Sequence, residues 1–287
     1  MILPEDSVLT VDREPQMERS EVRFEFGKNW RRFLRVLDEQ RITDAEKSLC
    51  TMLDLDDLRG KSFLDVGSGS GLFSLAAMRL GATRVYSFDY DSESVACTRE
   101  LKRRYFEGAE HWTVEQGSAL DREYLSRLGQ FDIVYSWGVL HHTGNMWQAL
   151  ENVIAPLRKN GRLFIAIYND EGLKSRNWKR IKKMYSLSPV FRPPFIAFFS
   201  SYFFIKGLVV DVIFQRKNPF TRYTAHQGPR GMTYWIDLLD WLGGYPFEVA
   251  KPSEIFEFYK KRNFTLVNLK AEGRGLGCNE FVFERNG

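Results

Sequence analysis

The sequence predicts an α/β protein: a doubly wound, mostly parallel sheet of about seven strands with a helical insertion after the fifth. Three observations carry this prediction. Between residues 61 and 168, short apolar runs alternate with helical patterns, which is the rhythm of βαβ units. The first run ends at Asp65 and turns through Gly67, Gly69 and Gly71 into a helix. After a long break the strand pattern returns once more, as a closing pair.

The elements follow in order. Residues 1 to about 20 are charged and patternless and read as a loose arm. Asn29 to Leu37 carries aromatic and aliphatic residues at helical spacing. Thr43-Asp-Ala-Glu46 has the form of a capping box, expected to open a second helix with Leu49, Met52 and Leu53 on one face. Lys61 to Val66 is a buried strand, and Leu72 to Leu80 a helix stopped by Gly81. Strands are then predicted at Arg84–Asp89, Trp112–Glu115, Phe131–Ser136 and Arg162–Tyr168. Helices are predicted at Ser92 to about Tyr105 and at Met146–Leu157, the latter ended by Asn160-Gly161. From residue 170 to 233 the chain is basic, aromatic and helical in places. A helix behind Pro252 and strands at Phe264–Lys270 and Glu280–Glu284 close the pattern. The expected organisation is an N-terminal arm and helices covering the ligand site (1–57), a ligand-binding core (58–169), an insertion serving as substrate lid (170–250) and a closing helix with a strand pair (251–287).

Composition excludes several classes. With 287 residues, 44% hydrophobic and 27% charged, the chain is globular and large enough for one domain with an elaborate insertion. A net charge of +4 is too small to argue for nucleic acid. Cys50, Cys97 and Cys278 have no metal-ligand spacing, so neither a disulfide framework nor a metal is expected, and the cytoplasm is the expected compartment. The opening Met-Ile-Leu-Pro-Glu-Asp does not read as a signal peptide. The longest uncharged run, Pro193 to Ile205, is shorter than the roughly 20 apolar residues that a bilayer requires.

The glycine turn carries the chemistry. Glycines remove the Cβ atoms that would hold a ligand away from the backbone, and the turn lies at the carboxyl ends of the strands, where such sheets bind ligands. Asp89 follows Gly71 by 18 residues, at the end of the next strand, and can accept hydrogen bonds from ribose hydroxyls. A dinucleotide fingerprint would need its third glycine at position 72 or 74, where the chain has Leu72 and Ser74. The spacing therefore favours a ligand without a pyrophosphate.

Phe63-Leu-Asp-Val-Gly-Ser-Gly-Ser-Gly71 resembles the donor motif of class I S-adenosylmethionine methyltransferases. Ser87-Phe-Asp-Tyr-Asp91 resembles their ribose-binding motif, and Gln116-Gly-Ser-Ala-Leu-Asp121 the loop beside the adenine. Phe131 to Thr143 is similar to the fourth motif of the ubiquinone- and menaquinone-biosynthesis enzymes and related small-molecule methyltransferases. The resemblance implies S-adenosylmethionine as methyl donor and S-adenosylhomocysteine as product. Asp65, Gly67, Ser68, Gly69 and Gly71 would hold the aminoacid end, Asp89 the ribose, Tyr90 the adenine face, Ser118 and Ala119 the adenine edge, and Trp137 would lie near the methionine end. Relatives often carry Asp where this chain has Ser118, and Asp121 could substitute only if the loop folds back.

The acceptor is expected to be a small molecule, with oxygen favoured over nitrogen or carbon as the methylated atom. His141 and His142 follow the fourth strand, at the rim where an acceptor would sit, and are the candidate bases. Tyr234, Trp235 and Asp237, from an aromatic and acidic stretch running to Glu248, are the candidate acceptor contacts, and Asn279-Glu280 adds a further one. Two alternatives stand beside this: methylation of tRNA or protein, supported only by the basic run Lys174 to Lys183, and a donor-binding scaffold that transfers no methyl. Further partners left open are a membrane surface met through residues 192–206 and a second copy of the chain.

Overall fold

The computed structural model describes residues 26–187, 189–216, 218, 241–273 and 275–287. Its centre is a seven-stranded sheet in the order β3-β2-β1-β4-β5-β7-β6, with β7 antiparallel to both neighbours and every other pairing parallel. The strands are β1 (Ser62–Val66), β2 (Arg84–Asp89), β3 (Trp112–Gln116), β4 (Phe131–Trp137), β5 (Leu157–Tyr168), β6 (Phe264–Lys270) and β7 (Cys278–Arg285). The doubly wound, mostly parallel architecture predicted from the sequence is the one observed.

Alternation along each strand divides the core in two. Phe63, Val85, Ile133 and Phe164 pack on one face, beneath α2 (Glu39–Leu53), α3 (Leu72–Arg79) and α4 (Ser92–Tyr105). Leu64, Tyr86, Val134 and Leu163 pack on the other, beneath α5 (Arg122–Arg127), α6 (Met146–Asn152) and the helix over Pro252–Lys260. Neighbouring residues on one strand thus serve opposite layers, which is why these runs are apolar throughout and legible as strands. A short helix, α1 (Gly27–Phe33), lies against α4.

Four sequence-based expectations are corrected. The second helix opens at Glu39, where the Asp38 side chain accepts from the Arg41 N–H at 2.9 Å, and Thr43 to Glu46 lies inside it. Ile42 and Ala45 are buried on the same face as Leu49, so the apolar stripe begins a turn before the apparent capping box. The helix begun at Met146 ends at Asn152, not Leu157. Pro156 interrupts its continuation, and Leu157 already pairs with Phe131 in the sheet. A helix over 122–127 went unpredicted. It is opened by Asp121, whose carboxylate accepts the Tyr124 N–H at 2.9 Å. Finally, the apolar stretch of the insertion is longer than its uncharged run suggests, because the helix continues past Lys206. Residues Arg192–Val212 form 21 helical residues, long and apolar enough to cross a membrane by length and composition.

The insertion follows β5 as α7 (Leu173–Leu187) and α8 (Arg192–Val209), the latter running on into a π-helical turn over Val210–Gln215. A small cluster of their own, Tyr185, Phe199 and Leu242 with Trp178 and Phe203 beside them, joins these helices. The helix over Pro252–Lys260 is called α9 below. Its first residue is proline, which suits a position without a helical hydrogen bond to donate.

Candidate active site

A cavity of about 440 Å³ opens at the carboxyl ends of β1, β2, β4 and β5. Its floor is the turn between β1 and α3. Gly67 (φ 79°) and Gly69 (φ 54°) adopt left-handed backbone conformations, and the N–H groups of Gly67 and Ser68 both donate to the Phe88 carbonyl, at 2.8 and 3.0 Å. Protein packing also requires these glycines, a reason the sequence does not reveal. A Cβ on Gly67 would lie 2.4 Å from Val139, and one on Gly69 3.0 Å from Trp30. A Cβ on Gly71 would lie 2.8 Å from the Thr98 Cα. Gly71 starts α3 from beneath and is not on the cavity wall, a correction to its expected role as a ligand contact.

Two carboxylates face this floor. Asp89 accepts the Gly69 N–H and the Asp91 N–H, both at 2.9 Å, one on each oxygen. The Tyr90 N–H is a third backbone donor to it, so of its roughly four lone-pair sites about one remains for a hydroxyl in the cavity. Burial pushes the Asp89 carboxyl up to about 6, against the pull of its N–H donors. Asp65, only 2% exposed, accepts from the Ser74 hydroxyl at 2.5 Å. Ser74 meets the Ser87 hydroxyl at 2.7 Å, which in turn accepts from the Trp112 indole N–H at 2.9 Å. Indole can only donate and an ionised carboxylate only accepts, so with Asp65 ionised the three donors Trp112, Ser87 and Ser74 all point their protons toward it. Burial raises the Asp65 carboxyl to about 7. The Ser74 bond opposes that rise and the Asp89 charge adds to it. Ser74 stands at one of the positions where a dinucleotide fingerprint would require glycine. The relay of which it is part had no signal in the sequence.

The remaining donor-side candidates take their places on the same wall. Tyr90, exposed at its rim, has its carbonyl fixed by Gln116 at 2.9 Å. Ser118, Ala119 and Trp137 line the cavity, as does Ser68, whose hydroxyl meets Thr98 at 2.9 Å. Asp121 caps α5 and so does not stand in for the carboxylate missing at Ser118. From above, α1 brings Phe26 and Trp30 over the cavity. It is held there by Asp91, which accepts the Gly27 N–H at 2.8 Å with one oxygen while capping α4 with the other.

The two histidines separate. His142 reaches the cavity, and its Nδ1 lies 2.6 Å from the Pro246 carbonyl oxygen. A carbonyl only accepts, so Nδ1 holds the proton and Nε2 carries the lone pair of the neutral ring. His141 is fully buried and off the cavity wall. Its Nδ1 accepts the Tyr168 N–H at 3.3 Å and its ring lies tilted 4.0 Å from that of Tyr168, so it supports the site from behind, a correction to its candidacy as a base. Tyr234, Trp235 and Asp237 lie outside the described residues. Trp241 and Tyr245, from the same aromatic stretch, do line the cavity, with Tyr168 at the end of β5. Lys182 of α7 is completely buried against this wall. Its ammonium sits 4.1 Å from the Trp241 ring and 4.9 Å from that of Phe247, and it donates to the Trp241 carbonyl. Asn279 bonds Asn169 at 3.1 Å and receives the Glu272 N–H at 2.9 Å, tying the β6–β7 turn to the end of β5. Among the described residues, the charged groups on the cavity wall are Asp65, Asp89 and Asp91, with no lysine or arginine. The fit is to a ligand bearing positive charge and hydroxyls.

Comparison with known proteins agrees. A family profile described as a methyltransferase domain matches residues 64–163. Ribosomal protein L11 methyltransferase from Legionella pneumophila (strain Lens) is 48% identical over 58 residues, 20% of this chain and 20% of that protein. The chain thus matches about a fifth of the length of such curated relatives. Magnesium protoporphyrin IX methyltransferase from Synechocystis PCC 6803, solved with bound SAH, superposes with a TM-score of 0.52 at 16% identity, covering 90% of this chain and 94% of that one. The N-methyltransferase NodS from Bradyrhizobium japonicum WM9, in complex with S-adenosyl-L-homocysteine, gives 0.52 at 13% identity, covering 92% and 100%. At these identities the likeness to the solved structures is one of fold. The chain thus carries a methyltransferase-domain match across β1 to β5, and its glycine turn, Asp89 and strand order give it the fold of class I S-adenosylmethionine-dependent methyltransferases.

Proposed function

We propose that this protein moves a methyl group from S-adenosylmethionine to a hydroxyl of a small, uncharged, largely aromatic acceptor. The observation that carries the reading is His142. It lines one cavity with the glycine turn and Asp89, and its Nδ1 is held on the Pro246 carbonyl, which fixes the tautomer of the ring. The donor supplies an electrophilic methyl on a sulfonium. Asp89 accepts a ribose hydroxyl, Tyr90 covers the adenine, Ser118 and Ala119 meet its edge, and Asp65, Ser68 and the glycine turn receive the aminoacid end. Trp137 borders the methionine end. Phe26, Tyr168, Trp241 and Tyr245 hold the acceptor ring, and the 170–250 segment serves as its cover. As the acceptor oxygen takes the methyl, its proton passes to His142 Nε2, and S-adenosylhomocysteine leaves. A base of this kind contributes roughly 10²–10⁴-fold.

Support for a small acceptor comes from the walls. The cavity is bounded by side chains from α1, β5 and the 241–245 turn, and the described lining offers aromatic faces where an anionic acceptor would need a cation. The test pairs calorimetry with turnover of labelled donor across a library of phenols and other hydroxyl compounds. His142→Ala should bind S-adenosylhomocysteine as the wild type does and lose about 10²-fold or more in kcat. A variant that keeps full turnover sinks the assignment of the base, and methylation of tRNA or ribosomal protein with no small molecule modified sinks the acceptor class.

A further inference from the structure

The α7–α8 hairpin, which the proposed function uses only as a cover, presents a cationic, apolar outer face that the methyl-transfer reading leaves unused. Between Leu173 and Arg216 there are nine Lys and Arg residues against one carboxylate, Asp211. That is a local charge of +8 in a chain whose total is +4, so the rest of the molecule carries −4. Exposed apolar side chains run along α8 in a single stripe. Phe198 (65% exposed), Tyr202 (49%), Ile205 (59%) and Val209 (43%) are spaced by four, three and four residues, one helical face. On α7 the outward face mixes Leu173, Met184 and Leu187 with Arg176, Arg180 and Lys183, all exposed.

We infer that this hairpin docks the protein on an anionic lipid surface, with α8 lying in the plane of the interface. Length alone would let α8 cross a membrane, but its opposite face is already committed to protein. Phe199 and Gly207 are buried, and Trp178 of α7 sits 5.2 Å from Phe199 and 6.2 Å from Phe203. Crossing the bilayer would strip those contacts, whereas lying flat keeps them and buries the exposed stripe in the acyl boundary. Flanking lysines and arginines extend their charges to the headgroups while their stems cover apolar surface. The same charge opposes pairing with a second copy, since a symmetric contact through this face sets +8 against +8.

Flotation of the full-length protein with phosphatidylcholine vesicles, with and without phosphatidylglycerol, tests the inference. The protein should float with the anionic vesicles, bind the neutral ones far more weakly, and lose binding as salt is raised. F198E/I205E should abolish flotation, each buried apolar side chain being worth at least about tenfold in partitioning. K179E/R180E/K183E should weaken it by about fivefold or more per cation reversed. Both sets lie on exposed positions, so the calorimetric S-adenosylhomocysteine affinity and the melting curve should match wild type. Donor binding and vesicle binding are thus read separately. Absence of wild-type flotation overturns the inference, as does flotation of F198E/I205E at the wild-type level. A dimer that F198E/I205E dissolves, or tRNA binding without vesicle binding, likewise assigns the surface to another partner and overturns it.

Discussion

Replacing Asp65 with asparagine should stabilise the ligand-free protein, and only at neutral and alkaline pH. Burial raises this carboxyl from an ordinary 3.8 to about 7. Between those limits the folded protein holds a proton that the unfolded chain releases. Its stability therefore falls as pH rises through that window, by about 1.4 kcal/mol per pH unit for one group. From pH 4 to 7 the cost reaches roughly 4 kcal/mol, a large share of a typical domain's stability. Asparagine has the same shape, keeps an oxygen to accept the Ser74 hydroxyl, and carries no charge to desolvate. Any cost from its new N–H donors is independent of pH, so the slope is the readout. Urea unfolding of wild type and Asp65→Asn at half-unit steps from pH 4 to 8.5 should give curves that diverge with rising pH and run parallel above about 8. A difference in stability that stays constant across that range refutes the reasoning. The same substitution should weaken donor binding, since the charge that burial disfavours on Asp65 is complementary to a cationic ligand.

Asp89→Ala should lower S-adenosylhomocysteine affinity by roughly tenfold or more in calorimetry, because a hydrogen bond to a charged acceptor is worth about 1.5–3 kcal/mol. For the wild type, affinity should decline as pH is lowered through about 6, where the raised Asp89 carboxyl takes up a proton, and Asp89→Ala should lose that inflection. Gly71→Ala should destabilise the fold by more than about 2 kcal/mol in thermal or chemical unfolding, since it combines φ 82° with a Cβ 2.8 Å from the Thr98 Cα. Gly138→Ala has φ 73° and nothing within 4 Å of its Cβ, so it should cost only about 1 kcal/mol. Equal losses at the two positions would show that packing against α4 is not what Gly71 serves.

Much of the donor side is legible in the sequence because it is local. Asp65, the glycines and Asp89 are tied to strand ends, and a strand buried on both faces announces itself by composition. Where a local pattern misled, a longer-range one had prevailed. The Thr43–Glu46 motif was overruled by the burial of Ile42 and Ala45, and the helix from Met146 was cut short by Pro156. The proposed acceptor side is assembled from Phe26, Tyr168, Trp241 and Tyr245, which come together on one cavity wall only after folding. No spacing rule joins them. The histidine pair was visible as a pair, but its division of labour was not. Which ring faces the cavity depends on a carbonyl 104 residues away. The relay from Trp112 to Asp65 was equally silent, since serines in a helix and a strand look like ordinary small residues until their hydroxyls meet.

One feature of α6 has a bearing on how the two ligands sense each other. This helix is only seven residues long, roughly 10 Å, and both its ends are fastened to the cavity. At its start the Met146 N–H donates to Glu248, from the segment that supplies Trp241, Tyr245 and the carbonyl facing His142. At its end the Asn152 amide donates to the carbonyls of Ala119 and Leu120, in the adenine loop. A seven-residue strut of this kind transmits displacement with little bending. On the proposed function, acceptor contacts made by the 241–248 segment and donor contacts made by residues 118–120 are joined through α6, so binding of one ligand should alter affinity for the other. Thermodynamic reciprocity makes the two effects equal: whatever factor the acceptor applies to donor affinity, the donor applies to the acceptor's.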